Sequence, residues 1–332
     1  MKLINYTRWG LGGLVMAMAA VASFPGYAKD TIENYPDRPI RMIMAQSPGG
    51  APDILARILS DQVGKKSSTS IVIEYKPSAG GVIAQNLIVN SPADGYTLLF
   101  ATPSMLAVAP YLHKSLPFDP FSDFQPITII GQSANILVTS SKVKANSISE
   151  LIAYAKANPG TLRYASSGIG TPSHLAGELL AAKTGAQMLH VPYKGAGQAL
   201  NDLVGGTVDL MITSPAAAKS YLRSGHLKAL ATTGQVPDPL LPDLPLMSKT
   251  VPGYEITQWW SIVVKAGTPK AIVNKIHSAI VESLKEPKIV QHFKEQGVLA
   301  RSMSVAEFTS FIDSERKRYQ ELLKLAKVNV EN

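Results

Sequence analysis

Four stretches set glycine beside hydroxyl side chains between an apolar run and an amphipathic one: Ser47–Gly50, Ser78–Gly81, Ser167–Thr171 and Tyr193–Gly197. Glycine lets a backbone approach a ligand closely, and Ser or Thr adds a donor at small steric cost. Where a strand ends and a helix begins, such loops offer free N–H groups and the positive end of a helix dipole, which suits a carboxylate or a phosphate. A tight turn explains any one of them. Four of like chemistry point to an anion site. Around them, His174 falls in the first helical turn after the third loop and either touches a ligand or caps the loop. Lys194 beside Tyr193 either neutralises an acid or stands in solvent. Asp53 and Asp209 have no second carboxylate at a fixed spacing, so they suit orienting backbone N–H groups better than acid–base work. Trp259 and Trp260 alternate across a strand, so one ring belongs to the core and the other walls a cleft, with Trp259 the expected site residue.

Catalytic constellations are missing from the sequence. The chain has no Cys, which removes thiolate nucleophiles, iron–sulfur clusters and cysteine-ligated zinc. Gly64-Lys65-Lys66-Ser67 resembles the end of a phosphate-binding loop, but Leu59 stands where that loop needs Gly. No G-x-S-x-G or H-E-x-x-H occurs, and the histidines at 113, 174, 190, 226, 277 and 292 form no pair at metal-ligand spacing. The expectation is a binding protein without metal or cofactor, not an enzyme. An exported hydrolase is the losing alternative.

The elements that must position these loops follow from length and pattern. At 332 residues the chain suggests two domains or one large one. Its start has a basic n-region (Lys2, Arg8), an apolar run from Leu11 to Phe24 and small residues before a cut after Ala28: a secretory signal peptide, too short to span a bilayer. The mature charge becomes 30 − 24 = +6. Without Lys/Arg stripes this disfavours nucleic acid; it favours anionic solutes.

Strands at 40–45, 71–75 and 97–101 each run into a loop, and helices follow at 53–63 and 82–89: a repeated β–loop–α unit that predicts a parallel sheet with helices on its faces. The pattern resumes with strands at 135–140, 163–166, 188–191, 208–212 and 227–232. Ser147-Ile148-Ser149-Glu150 and Ser304 to Glu307 read as capping boxes, and Thr171 as an N-cap ahead of Pro172. One more strand is expected at 258–265, then helices alone. A strandless helical tail must pack on an earlier sheet. The chain is therefore read as α/β with two lobes: 29–130 plus 254–332, and 131–253, with crossings near 127–135 and 254–260 and an anion-binding cleft between the lobes.

The sequence also carries a resemblance. Tyr35-Pro36-Asp37-Arg38-Pro39-Ile40, then Pro48-Gly49-Gly50 with Asp53, is similar to the mature start of Bug-type (TctC-like) solute-binding proteins, the extracytoplasmic receptors of tripartite tricarboxylate transporters. It continues through Ala79-Gly80-Gly81, Asp94-Gly95-Tyr96-Thr97-Leu98, Leu116-Pro117-Phe118-Asp119-Pro120, Ser166 to Thr171, His174-Leu175-Ala176-Gly177-Glu178, His190-Val191-Pro192-Tyr193-Lys194-Gly195 and Ala266-Gly267-Thr268-Pro269. The resemblance implies a type II "Venus flytrap", periplasmic and monomeric, that closes on a small carboxylate and delivers it to membrane permease subunits. A sensor presenting the same solute to a membrane kinase would use the same binding physics.

Matching loop by loop, the family's solute contacts fall on Ser47, Gly49, Gly50, Ala51, Asp53, Ala79, Gly80, Gly81, Thr102 and Ser104 in lobe 1, with Gln46 added as a candidate at the position before them. In lobe 2 they fall on Ser166, Ser167, Gly168, Gly170, Thr171, Tyr193, Lys194 and Gly195; the reading of the residues themselves adds His174, Asp209 and Trp259 to the candidate set. Ala45 and Gln46 replace the family's usual Pro and aromatic residue, which makes the entrance more polar or roomier. Hydroxyls on both lobes suit a solute with a carboxylate at each end, aliphatic or aromatic such as terephthalate or phthalate.

Overall fold

β1 (Ile40–Met44), β2 (Ile71–Tyr75) and β3 (Thr97–Ala101) lie side by side in parallel, with β1 in the middle. Helices α1 (Ala51–Lys66) and α2 (Val82–Val89) connect them. β3 is buried at all five positions, as expected for a parallel strand covered on both faces. In this computed structural model residues 33–46, 48, 51–113, 115–193 and 195–325 are described, without the side chains of Ala51 and Ala79. The expected signal peptide lies outside the described residues.

The chain leaves β3 through a helical turn over 104–108 and the short α3 (Ala109–Leu112), then enters β4 (Phe124–Ala134). β4 is where the reading departs from the structure: the segment expected to be a crossing is a long strand of the first sheet, and β5 (Ile136–Ser140) begins the second sheet two residues after β4 ends. The second sheet adds α4 (Ile148–Ala157), β6 (Arg163–Ser166), α5 (Pro172–Thr184), β7 (Leu189–Pro192), α6 (Ala196–Gly205), β8 (Leu210–Thr213), α7 (Pro215–Arg223) and β9 (Leu227–Thr232). Its strand order is β7-β6-β8-β5-β9. A Pro-rich connection then returns the chain to β10 (Thr257–Lys265), which pairs antiparallel with both β3 and β4.

The two passages between the sheets are tied to each other. Asn135 N donates to Thr233 Oγ1 at 2.9 Å, Thr233 N donates to Asn135 O at 2.8 Å, and the Thr233 hydroxyl donates to Ile256 O at 2.6 Å. Thr233 is wholly buried, so losing these bonds would strand polar groups away from water.

α8 (Lys270–Leu284), α9 (Pro287–Glu295) and α10 (Val305–Leu325) follow. The tail is not strandless, as the pattern suggested: β11 (Leu299–Ala300) pairs with β4 at Gln132 and Gly131 and closes the first sheet as β11-β4-β10-β3-β1-β2. Two residues are too few for a period-2 signal. The last turns of α10 place Tyr319, Leu322 and Leu323 in the core shared with Leu175, Ala176 and Leu179 of α5, so the tail serves both sheets. Both sheets belong to one compact unit that begins at Pro36.

The caps behave differently from one another. Ser304 and Glu307 form the full reciprocal box, at 2.8 and 3.2 Å. Ser147 Oγ accepts Glu150 N, but the Glu150 carboxylate takes Asn146 N instead of the N–H of Ser147. Thr171 holds the N-cap position of α5 without capping it, because its hydroxyl donates to Gly168 O at 2.6 Å. Among the described residues no helix is long and apolar enough to cross a membrane, and no three His, Asp or Glu are grouped to hold a metal.

Candidate solute-binding site

The loops at the carboxyl ends of the parallel strands meet around a cavity of about 540 Å³, the place where open α/β sheets bind ligands. From the first sheet come Ala45, Gln46, Pro52 at the start of α1, Ser78, Gly80 and Gly81 ahead of α2, and Thr102, Ser104 and Met105 after β3. From the second come Ser167, Thr171 and Ser173 at the start of α5, Ala196 at the start of α6, and Thr213, Ser214 and Ala217 around the start of α7. Ser133, Asn135, Gln258 and Trp260 form the wall where the chain crosses, and Gln296 closes one side.

Five helix N-termini therefore point into one cleft, and none of the described side chains lining it carries a formal charge. Each N-terminus contributes about half a positive charge through its free N–H groups. Among the described residues the cleft thus gathers positive potential from backbone N–H groups alone. Backbone N–H groups and neutral hydroxyls of this kind suit an anion.

Local sequence explains the shapes. Gly80 and Gly81 both adopt left-handed backbone (φ 59° and 72°), the turn that swings the chain from Ser78 into α2. A Cβ on Gly81 would stand 2.7 Å from Met105 Cγ. Ser78 Oγ accepts Ile83 N, and Ser214 Oγ caps α7 by accepting Ala217 N. In the second sheet Ser173 Oγ lies 3.0 Å from both Ser167 Oγ and Thr171 Oγ1 and accepts Ser167 N at 2.9 Å. This hydroxyl chain keeps the loop folded on itself.

Of the expected contacts, Gln46, Gly80, Gly81, Thr102, Ser104, Ser167 and Thr171 line the cavity. Ser47, Gly49, Gly50 and Lys194 lie outside the described residues. Ala51 and Ala79 are described by backbone alone, opening α1 and the turn before α2. The others act behind the surface. Ser166 is fully buried, with Oγ 2.7 Å from His190 Nε2, and Gly168 and Gly170 shape the loop. His174 accepts Gly170 N on Nδ1 at 3.1 Å, so of its two readings the structure favours the capping one. Asp53 takes Arg57 Nε and the Tyr75 hydroxyl; Asp209 takes the backbone N and Nε of Arg163. The Tyr193 hydroxyl donates to Asp202 at 2.7 Å, and burial pushes its phenol up to about 12. Gly195 precedes α6 in extended backbone and is not part of the lining.

Trp259 is a correction. Its ring is fully buried against Phe308 and Phe311, and Nε1 donates to Glu315. The neighbour, Trp260, faces the cleft. Alternation separates the two rings but does not say which face of the strand meets the tail helix. Trp260 Nε1 and Gln46 Oε1 are both buried without a hydrogen-bond partner among the described residues. Such polar atoms cost roughly 1–3 kcal/mol each when left unpaired, so both are suited to meet a polar group of a solute.

Ser133, Asn135, Gln258 and Gln296 were not foreseen, nor was the Ser214 corner as part of the site. Thr213-Ser214-Pro215 carries the same strand-to-helix signal as the other four loops without the glycine. Polar residues inside the apolar strands β4 and β10 were the signal for the crossing wall.

Fold and cleft together define a two-lobed periplasmic binding protein for a small anionic solute. Comparison with known proteins agrees. Residues 55–328 match the family described as tripartite tricarboxylate transporter family receptor. BugT of Bordetella pertussis is 34% identical over 319 residues, covering 95% of this chain and 96% of BugT. Among solved structures, R. palustris Rpa4515 with adipate superposes with a TM-score of 0.80 at 30% identity, covering 88% of this chain and 98% of that one. The periplasmic binding protein BugD does so with a TM-score of 0.76 at 31% identity, covering 89% and 99%. The chain belongs to the tripartite tricarboxylate transporter receptor family, the Bug/TctC solute receptors.

Proposed function

We propose that the chain is an exported, monomeric receptor that closes on a dicarboxylate and hands it unchanged to the permease subunits of a tripartite tricarboxylate transporter. The observation that carries this is the convergence of five helix N-termini on a cleft lined by neutral donors. Donors come from both sheets, so a solute with a carboxylate at each end touches both and stabilises the closed state over the open one. The adipate held by Rpa4515 supports a two-ended acid. The indole of Trp260 on the crossing wall extends the range to flat acids such as terephthalate and phthalate. The lobes divide where the chain passes between the two sheets, after β4 and before β10, and turn about the Asn135 and Thr233–Ile256 bonds. The leader-like start supports export to the periplasm.

A thermal-shift screen of the purified chain against adipate, malate, citrate, acidic amino acids and the benzene dicarboxylates tests this. A solute at a hundred times its Kd adds about 2.7 kcal/mol, which raises the Tm by a few degrees. Shifts confined to dicarboxylates support the reading. A flat response to every carboxylate, or turnover of the bound solute, overturns it.

A further inference from the structure

Behind the second sheet's solute loop lies a stack of three rings, none of them among the described residues that line the cleft. The His174 and His190 rings stack with centroids 4.1 Å apart and 19° between planes, and Tyr164 stacks on the far side of His190 at 4.8 Å. Each histidine holds one end of the loop. His190 Nε2 meets Ser166 Oγ at 2.7 Å, and that oxygen accepts Gly168 N at 3.2 Å. His174 Nδ1 accepts Gly170 N at 3.1 Å. Gly170 in turn sits in left-handed backbone (φ 73°), where a Cβ would stand 2.6 Å from Leu112 Cδ1 of the first lobe's α3. The loop thus meets the opposite lobe through a surface whose shape His174 sets.

We propose that His174 and His190 are positioning residues for solute binding: the stacked neutral pair fixes Gly170 in the one conformation on which Leu112 of the other lobe can close. The inference rests on the receptor reading above and adds the device that sets its closure. A backbone N–H can donate to Nδ1 only while that nitrogen is bare. His174 therefore carries its proton on Nε2, which faces Glu178 Oε1 at 4.0 Å. Two stacked rings 4.1 Å apart also disfavour a proton on either. Burial keeps both rings well below the ordinary histidine range, at about 4. The groups around them are Glu178 of α5 itself, whose carboxylate accepts the Tyr164 hydroxyl, and the buried phenols of Tyr254 and Tyr319 in the same core.

The first test needs no ligand. Side-chain 15N NMR of the ligand-free chain should show His174 neutral as the Nε2–H tautomer at pH 7, with no titration above pH 5. An Nδ1–H tautomer, or titration near 6.5, overturns the proposal. The second uses adipate as probe with His174→Asn, whose Oδ1 occupies the place of Nδ1, and His174→Leu, which keeps bulk without an acceptor. His174→Leu should weaken adipate binding about tenfold, the loss of one buried hydrogen bond with its donor left unpaired, and His174→Asn should restore it. Leu112→Ala should weaken binding too, and combined with His174→Leu should add little, because both act through one contact. Equal loss in Asn and Leu variants, or strictly additive losses, sinks the idea. Should no dicarboxylate bind the wild type, the receptor reading falls, while tautomer and Gly170 amide exchange still decide the role of the pair.

Discussion

Trp259 Nε1 donates to Glu315 Oε2 at 2.7 Å, tying the middle of β10 to the helix that ends the described chain. The same carboxylate holds the guanidinium of Arg318 through two 2.8 Å bonds. Its neighbour on the strand, Trp260, has an Nε1 at the cleft with no hydrogen-bond partner among the described residues. The same substitution should therefore have opposite weight at adjacent positions. Trp259→Phe leaves a buried carboxylate short of a donor and should cost about 2–3 kcal/mol. Trp260→Phe removes an unpartnered N–H and should stay within about 1 kcal/mol of wild type while changing the preference among solutes. Urea unfolding followed by circular dichroism, with adipate and terephthalate titrations, compares the two.

Ser214 and Ser147 cap helices in the same way, but Ser214 lines the cavity and Ser147 does not. Replacing either by Ala should cost about 1 kcal/mol of stability. Binding should weaken in Ser214→Ala alone, as read by calorimetric titration. Equal affinities in the two variants would remove the start of α7 from the site.

Gly81→Ala forces a side chain into left-handed backbone and onto Met105, itself part of the cavity lining. The backbone strain is worth about 1–2 kcal/mol, and Met105, which lines the cavity, must give way; a shift into the cavity would take the space of a solute. The expected result is a small fall in Tm with a large loss of affinity. A variant that binds as well as wild type would show that Met105 yields away from the cleft.

Acid should weaken the fold through His174. Its folded-state value, about 4, lies below the ordinary 6.5 because burial disfavours the cation. Between those values the unfolded chain takes up a proton that the folded chain refuses, so stability falls as pH drops from about 6.5 toward 4 and levels off below. The contribution of this ring by pH 4.5 is roughly 2–3 kcal/mol. Urea midpoints at pH 7 and pH 4.5 should differ more in wild type than in His174→Asn, which has nothing to titrate there.

β2, β3 and β9 begin and end where apolar runs and turn residues place them, as does α2. These are elements whose local pattern and buried environment agree. The glycine-rich corners, the Ser304 capping box and the two-sheet α/β plan were legible for the same reason: a left-handed turn, a cap and a parallel strand each have a chemical signature within a few residues. The loop chemistry likewise announced an anion. What the sequence left open were relations between distant segments. That β4 belongs to the first sheet, and that two residues at 299–300 close its edge, depends on pairing with strands more than a hundred residues away. Which tryptophan faces the cleft depends on where α10 lands, and that helix is positioned by cores of both sheets. His174 and His190, sixteen residues apart, become a stacked pair because α5 packs back on β7, and Tyr164 joins them because β6 and β7 are neighbours. Local propensity specifies the pieces over a few residues; burial and hydrogen-bond satisfaction, evaluated across the whole fold, decide which pieces face the solute.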